Sequence, residues 1–561
     1  MTQAIRRSDL GATVEVVRSY LVAAAEEMRT TLVRTAFNPV IYEVLDFGLS
    51  IYDENAELIA EAPGLTRFLG ANDYSLVKGI EYVGRDNLGP GDVVLLNYPY
   101  WNAAHAYDAT LFAPVHMPDG RHVGYVCVRA HWMDLGAKDP GYVLDSTDVH
   151  QEGLLFPGTK VFEAGKPVEP ILELIRFNSR MPDLVIGDLH AQVSALRTGE
   201  RRLVEIIDKF GKDTVDHAVA TLKDMGEAAS RVALARFPLG SWTATDWVDD
   251  DGITDSRVRI CVTVTHSSEG LTVDFSDSDR MVHGPINLPF GATIAAARVA
   301  FKVVTTPFEE SNAGHFRPLK VIAEPGTLFH AIYPAATFTQ WVGNHAVELV
   351  LKALAQAQPK LLSAGSGGDV PGFMNVGRDP GTLRTFAISN NDPVGWGGTA
   401  THDGLDASNH PCQTVARNTP VEVLETSSLM TIERLEMRTD SGGPGRYRGG
   451  VGIVRDIRFS GRSEFLSVVK KTKTASWPLL NGLVSAPTQV IVNPGTSEER
   501  TVGTVRVQVG AGDRVRLVTA GGAGYGDPRD RPPAEVKQDI ADGFVSQAAA
   551  ISDYSLRAEE M

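Results

Sequence analysis

Between residues 105 and 131 the chain reads HAYDATLFAPVHMPDGRHVGYVCVRAH, and His105, Asp108 and His131 are side-chain types that hold transition metals. Asp119–Gly120 separates two apolar runs and predicts a two-residue hairpin turn, because such turns need φ > 0 at both central positions. Counting outward from that turn sets Asp108 opposite His131. Directly opposed residues share a face, with Cβ atoms about 4.5–5.5 Å apart. Such a pair can share one ion at ligand bonds of about 2.0–2.2 Å. His105, three residues before Asp108, can curl back onto the same spot from the loop. The plainer reading is a His–Asp hydrogen bond at a hairpin mouth. A metal site needs a further ligand, and the stretch YEVLDFG offers Asp46 or Glu43.

Three more polar residues come into question as helpers. Asp134 follows His131 by three residues and could orient a ligand imidazole or act on a bound water; a solvated loop acid is the alternative. In STDVHQEGLLFPG, His150 and Glu152 precede an apolar stretch and either face the substrate or cap local backbone. SGGPGRYRGGVG and TAGGAGYGDP are Gly-rich, but neither carries GxxxxGK[ST] or joins a strand to a helix N-terminus, so both read as tight turns in a β region. His345 and His402 sit amid small residues and read as ordinary packing. There is no GxSxG elbow, and Cys127, Cys261 and Cys412 fall in no catalytic motif. Metal-assisted chemistry is what these residues support.

The elements that must position them belong to a long chain. At 561 residues it suggests about three to four domains. Its 54 Gly and 31 Pro imply many turns, hence a strand-rich architecture with helices inserted. The expected fold class is α+β, multi-domain, with mixed sheets and a β-rich C-terminal region. Residues 1–240 form the unit bearing the metal site, with helices at Thr13–Ala36, Met181–Phe210 and Thr214–Arg236. Residues 241–425 form a central α+β unit, 426–530 a β-rich unit, and 531–561 a peripheral helical tail. A net charge of −16 excludes a nucleic-acid surface, which needs clustered Lys and Arg. The cysteines form no CxxC pair, so neither a Cys-based zinc site nor a disulfide framework is expected. Arg6 and Arg7 are followed by Glu15, Arg18, Glu26 and Glu27, which is not a signal peptide, and no apolar run is long enough to span a membrane. The expected compartment is the cytoplasm.

RTAFNPVIYEVLDFGLSIYD, GDVVLLNYPYWNAAHAYDATLFAPV, VCVRAHWMDLG, GDLHAQVSALRTGERRL, NAGHFRPLKVIAEPGT and DSGGPGRYRGGVG occur in this order over nearly the whole chain. In this it resembles the hydantoinase B/5-oxoprolinase B-subunit family, which includes N-methylhydantoinase B, caprolactamase B and ketone carboxylase subunits. The resemblance implies one divalent metal (Zn, Mn or Fe) held by Asp46, His105, Asp108 and His131. It implies a hetero-oligomer in which an actin-like subunit of the hydantoinase A/oxoprolinase A type binds ATP and activates a cyclic amide, lactam or ketone. Where the family often shows NDPY…GTHLPD and RAHHADVGG, this chain has NYPYWNAAHAYD and RAHWMDLGA. Tyr98, Trp101, Tyr107 and Trp132 are therefore expected to make the substrate pocket more apolar, favouring a lactam or aryl ketone over 5-oxoproline.

Overall fold

The computed structural model describes residues 7–557; residues 1–6 of the N-terminal unit, Arg6 among them, and 558–561 of the tail lie outside them. Helix α1 (Arg7–Thr35) buries Val14, Val17, Leu21, Ala24, Met28 and Leu32, the three-and-four spacing of one helical stripe. That stripe packs beside α3 (Pro182–Phe210) on one face of a seven-stranded antiparallel sheet. Its strands are β1 (Phe47–Asp53), β2 (Leu58–Ala62), β3 (Val93–Leu96), β4 (Asp108–His116), β5 (His122–His131), β6 (Pro157–Glu163) and β7 (Lys166–Pro167). They lie in the order β2-β1-β5-β4-β3-β6-β7. Helix α2 (Thr66–Val83) covers the other face, setting Leu76 and Ile80 among Tyr52, Phe112 and Tyr125. With both faces covered, VVLL and the β4 run are apolar without alternation.

The β4–β5 hairpin differs from expectation at its tip. The Met117 N–H donates to the Arg121 carbonyl and the Gly120 N–H to the Met117 carbonyl, both at 2.8 Å, so Pro118, Asp119 and Gly120 together form the loop. Pro118 presets φ near −65° for an ordinary type I turn, and Gly120 at φ 88° closes it in the left-handed region. The extra loop residue slips the pairing by one. A bulge between Val115 and His116 slips it back, and Asp108 faces His131 as the sequence predicts.

Four further strands, β8 (Gly240–Val248), β9 (Val258–Ser267), β10 (Gly270–Asp274) and β11 (Leu319–Ile322), form a second sheet. Helices α5 (Phe290–Thr305) and α6 (Val342–Ala357) pack on it; α4 (Lys212–Leu234) leads into β8. Strands β12 (Gly372–Arg378) and β13 (Thr385–Asn391) precede residue 425, yet β12 pairs with β14 (Ser463–Val468). The chain thus returns from its C-terminal half to wall the first sheet: Met374, Val376, Leu466 and Val468 join the core of β1–β7. The two Gly-rich stretches pack backbone on backbone. Gly450 N–H donates to Trp396 O and Gly522 N–H to Gly450 O, and a Cβ on Gly449 would stand 1.8 Å from Gly522 O. Their glycines serve close approach between chain segments. The tail forms helices Pro533–Ala541 and Gln547–Ser552 with a small core of Val536, Val545, Ala550 and Tyr554. Among the described residues no helix is long and apolar enough to cross a membrane.

Candidate metal centre

Three neighbouring strand ends bring the site together. Phe47 opens β1 opposite Ala130, so Asp46 stands beside His131, whose N–H donates to the Asp46 carbonyl at 3.3 Å. His131 closes β5 opposite Asp108, which opens β4. Opposed residues share a face, so the three side chains stand abreast. Asp46 is delivered by a local device. The Asp188 carboxylate accepts from the Phe37 and Asn38 N–H groups at 2.8 and 3.1 Å. Asn38 Oδ1 caps the single helical turn Pro39–Tyr42, and its amide donates to the His131 carbonyl at 3.1 Å. Leu45, at φ 66°, then turns the chain into β1. His105 comes from the loop before β4; the Asp108 N–H donates to its carbonyl at 3.0 Å.

Asp108 Oδ1 lies 3.0 Å from His131 Nδ1, and Asp108 Oδ2 lies 3.4 Å from His105 Nε2. One ligand atom from each of His105, Asp108 and His131 falls within 4.8 Å of the others. Asp46 lines the same cavity, whereas Glu43 does not, and its Oδ1 is buried without a hydrogen-bond partner. A buried, unpaired carboxylate oxygen is costly unless a cation meets it. The donors are imidazole nitrogens and carboxylate oxygens, and this set fits a divalent transition ion.

Burial pushes Asp46 up to about 7, with Asp108 adding to the rise and His131 opposing it. Burial would also raise Asp108, but the charges and hydrogen bond of His105 and His131 hold it below the usual carboxylate range. Burial lowers His105 to about 3, leaving its imidazole neutral as a ligand must be. In His131 burial is outweighed by the Asp108 hydrogen bond and the carboxylates' charge, which raise it.

The cavity over these groups has a volume of about 80 Å³. Its walls come from distant segments: Arg67 and Phe68 at the start of α2, Tyr142, Gln340 and Trp341 before α6, Phe373 and Met374 of β12, and Asn391 and Gln413. Tyr142 Oη lies 3.1 Å from His105 Nε2, and the Phe338 ring stacks on His105 at 4.9 Å and 14°.

The aromatic residues expected in the pocket lie elsewhere. Trp132 is fully buried beneath α3 and donates from Nε1 to Gln192 Oε1 at 2.7 Å. Trp101 packs on Tyr82 and Tyr98, and neither Trp101 nor Tyr98 lines the cavity. Tyr107 stands one layer back, edge-on to Phe338 at 4.9 Å, with its hydroxyl donating to Asp134 Oδ1 at 3.0 Å. Side chains alternate across a strand, so Trp132, next to His131, turns to the face covered by α1 and α3.

The helper residues are corrected likewise. Asp134 is fully buried but committed to Tyr107, the Arg180 N–H and the Arg180 guanidinium (Nη1 at 2.7 Å); it anchors the loop. His150 is exposed and pairs with the Tyr333 hydroxyl at 3.0 Å. Glu152 is fully buried, and burial pushes it up to about 7. Its carboxylate accepts from Ser146 Oγ, the Thr337 N–H and hydroxyl, and the Phe338 N–H. It positions Phe338 against His105 and does not reach the cavity.

Residues 11–528 match the family model described as Hydantoinase B/oxoprolinase. A protein of Pseudomonas sp. (strain NS671), provisionally named as the B-subunit of a D-/L-hydantoinase, is 30% identical, covering 97% of this chain and 94% of its own. The caprolactamase beta chain of Pseudomonas jessenii is 28% identical over 97% of this chain and 95% of its own. The crystal structure of the ATP-dependent caprolactamase from that organism superposes with a TM-score of 0.88 at 27% identity, covering 98% of this chain and 97% of that one. The nucleotide-free acetone carboxylase structure, at 16% identity, shares the fold with a TM-score of 0.87, covering 99% and 81%. With most of its length matched by that family model, and with the strand ends that carry Asp46, Asp108 and His131 inside the match, the chain belongs to the hydantoinase B/oxoprolinase family.

Proposed function

We propose that this chain is the metal-bearing subunit of an ATP-dependent hydrolase of cyclic amides, acting on a substrate activated by an actin-like ATP-binding companion. The observation that carries the reading is the buried set His105, Asp108 and His131 beside the unpaired Asp46 oxygen, facing one cavity. Asp46, His105, Asp108 and His131 would hold a Zn, Mn or Fe ion, which when bound supplies a Lewis acid for the amide oxygen or an attacking water of lowered pKa. Tyr142 and Phe338 fix the His105 ring, and Asn38 and Asp188 hold the turn that presents Asp46. The names hydantoinase, caprolactamase and 5-oxoprolinase among the relatives support a cyclic amide as substrate class. Ketone carboxylation rested on aromatic residues that do not line the cavity, and it loses that support.

His131→Ala is expected to remove most of the bound metal in elemental analysis of the purified chain. The sequence contains no GxxxxGK[ST], so the isolated chain is expected to show no micromolar ATP binding by calorimetry. It is also expected to turn over lactam only when its companion is added. Unchanged metal in His131→Ala, or ATP-independent turnover by the chain alone, would overturn the proposal.

A further inference from the structure

Across one wall of the metal cavity lies a second and larger cavity, of about 460 Å³. That volume is within the range of small-molecule sites, about 300–1,000 Å³. Two short segments make the wall, and each serves both sides. At the start of α2, Leu65, Arg67 and Phe68 line the metal cavity, whereas Thr66, Leu69 and Gly70 line the second one. In the turn 411–414, Cys412 and Gln413 line the first, and Pro411 and Thr414 the second. Thr66 Oγ1 donates to the Pro411 carbonyl at 2.7 Å and ties the two segments together. None of Asp46, His105, Asp108 and His131 borders the second cavity.

Its lining is apolar along most of its length and polar at one end. Val299, Val303, Leu351, Phe316, Trp396 and Trp477 supply the apolar part. At the mouth the Phe308 ring stands 99% exposed, apolar surface that a ligand would cover. At the polar end Glu61 of β2 meets Arg298 and Lys302, one turn apart on α5, and Ser311. Arg298 is already neutralised, since Nη1 donates to Asp73 Oδ1 at 2.5 Å and to the Gly70 carbonyl at 3.0 Å. Lys302 is not. Its ammonium donates to Thr306 Oγ1 at 2.8 Å, a neutral acceptor, and among the described residues no carboxylate makes an ion pair with it. Burial lowers Lys302 to about 8, with Glu61 opposing, so the group keeps its proton at pH 7. Burial pushes Glu61 up to about 7, with the Ser311 hydrogen bond opposing, which weakens the one nearby charge that could balance the ammonium.

We infer that this cavity is a second ligand site, separate from the metal centre, and that its ligand is an apolar monocarboxylate, an aliphatic or aryl acid whose body lies among Val299, Leu351 and Trp477 and whose carboxylate bonds Lys302. An ammonium with two donors to spare at the end of an apolar cavity recognises that combination. The inference stands apart from the metal-site reading and needs no ion. Because the ligand would press on Thr66, Leu69, Gly70, Pro411 and Thr414, its arrival also stiffens the wall that the two cavities share.

The test uses the full-length chain at pH 7 and three probes that differ only in the head group: octanoate, 1-octanol and octylamine. Calorimetry should show octanoate binding roughly 10- to 100-fold tighter than octanol, as bonds to a charged group imply. From hexanoate to octanoate each added methylene should tighten binding about 3- to 4-fold. Lys302→Met should bring octanoate down to the level of octanol and leave octanol unchanged. Val303→Trp fills the cavity from a position that is 42% exposed, so the core is spared, and it should abolish binding of both. Hydrogen exchange locates the site: octanoate should slow the amides of residues 66–70 and 411–414 in wild type and not in Val303→Trp. A chain that binds octanol or octylamine as tightly as octanoate, or none of the three, overturns the inference. So does octanoate binding that both variants leave unchanged, or that leaves the wall amides exchanging as before.

Discussion

Glu152 offers a quantitative test of how the site is held. Its Oε1 accepts from Ser146 Oγ, the Thr337 N–H and the Phe338 N–H at 2.7, 2.7 and 3.0 Å, and Oε2 accepts from Thr337 Oγ1 at 3.1 Å. Glu152→Gln preserves this pattern, with the amide oxygen in the Oε1 position and the NH₂ donating to Thr337 Oγ1. Glu152→Ala strands two buried N–H groups and costs roughly 3–6 kcal/mol. The pH dependence gives the sharper result. Burial raises Glu152 from 4.5 to about 7. Between those values the folded chain keeps a proton that the unfolded chain releases, so this group's stabilising contribution is full below 4.5 and is lost as pH rises to 7. The shift corresponds to about 3 kcal/mol. Urea unfolding of wild type and Glu152→Gln from pH 4.5 to 8 should therefore coincide at the acid end and separate above it, with the variant the more stable by up to that amount. Parallel profiles, or a wild type that gains on the variant as pH rises, would refute the account. Glu152→Ala should also loosen Phe338 from His105 and weaken metal retention.

The residues on the β4–β5 hairpin were legible because a strand pair is a local object. Once a turn is placed, opposed residues follow by counting, and the Asp108–His131 pairing survived a misread loop only because the Val115–His116 bulge cancels the slip. Helices α1, α3 and α4 were legible from their spacing and end within a few residues of expectation. Strands β12 and β13 carry no clear sequence signal: Gly372–Arg378 is short, holds Asn375 and two glycines, and gains its order from pairing with β14, far along the chain. Asp46 was one of two carboxylates the residues left open, and resemblance chose it; the β1–β5 pairing supplies the physical reason, because it sets Asp46 beside His131. Arg67, Tyr142, Phe338 and Trp341 carry no local signal, since their places at the site arise from three distant segments meeting over the sheet end. Trp132 and Asp134 lie close to His131 in sequence but away from the cavity in space. Alternation across a strand sends the next residue to the opposite face.

Two predictions remain. Asp134→Asn breaks a buried carboxylate's pairing with Arg180, whose side chain is 35% exposed; a loss of about 2–4 kcal/mol in urea unfolding is expected, with metal content unchanged in the folded fraction, whereas full stability with impaired turnover would restore Asp134 as a catalytic residue. The second concerns which tryptophan selects substrate. Trp341 lines the cavity, donates from Nε1 to the Val370 carbonyl at 2.7 Å and stands perpendicular to Tyr142 at 5.6 Å, so Trp341→Phe loses one hydrogen bond and opens the wall beside the His105 ring. Trp101 packs against the Tyr82 and Tyr98 rings and does not line that wall. In the reconstituted complex Trp341→Phe should change KM for lactams by about 3- to 10-fold, while Trp101→Phe should stay within about 2-fold. Because both are Trp→Phe exchanges, general softening of the fold would move them together. A selectivity change in Trp101→Phe with none in Trp341→Phe would mean that the substrate enters through the Tyr98–Trp101 loop and that the cavity over the metal ligands is not where its ring is held.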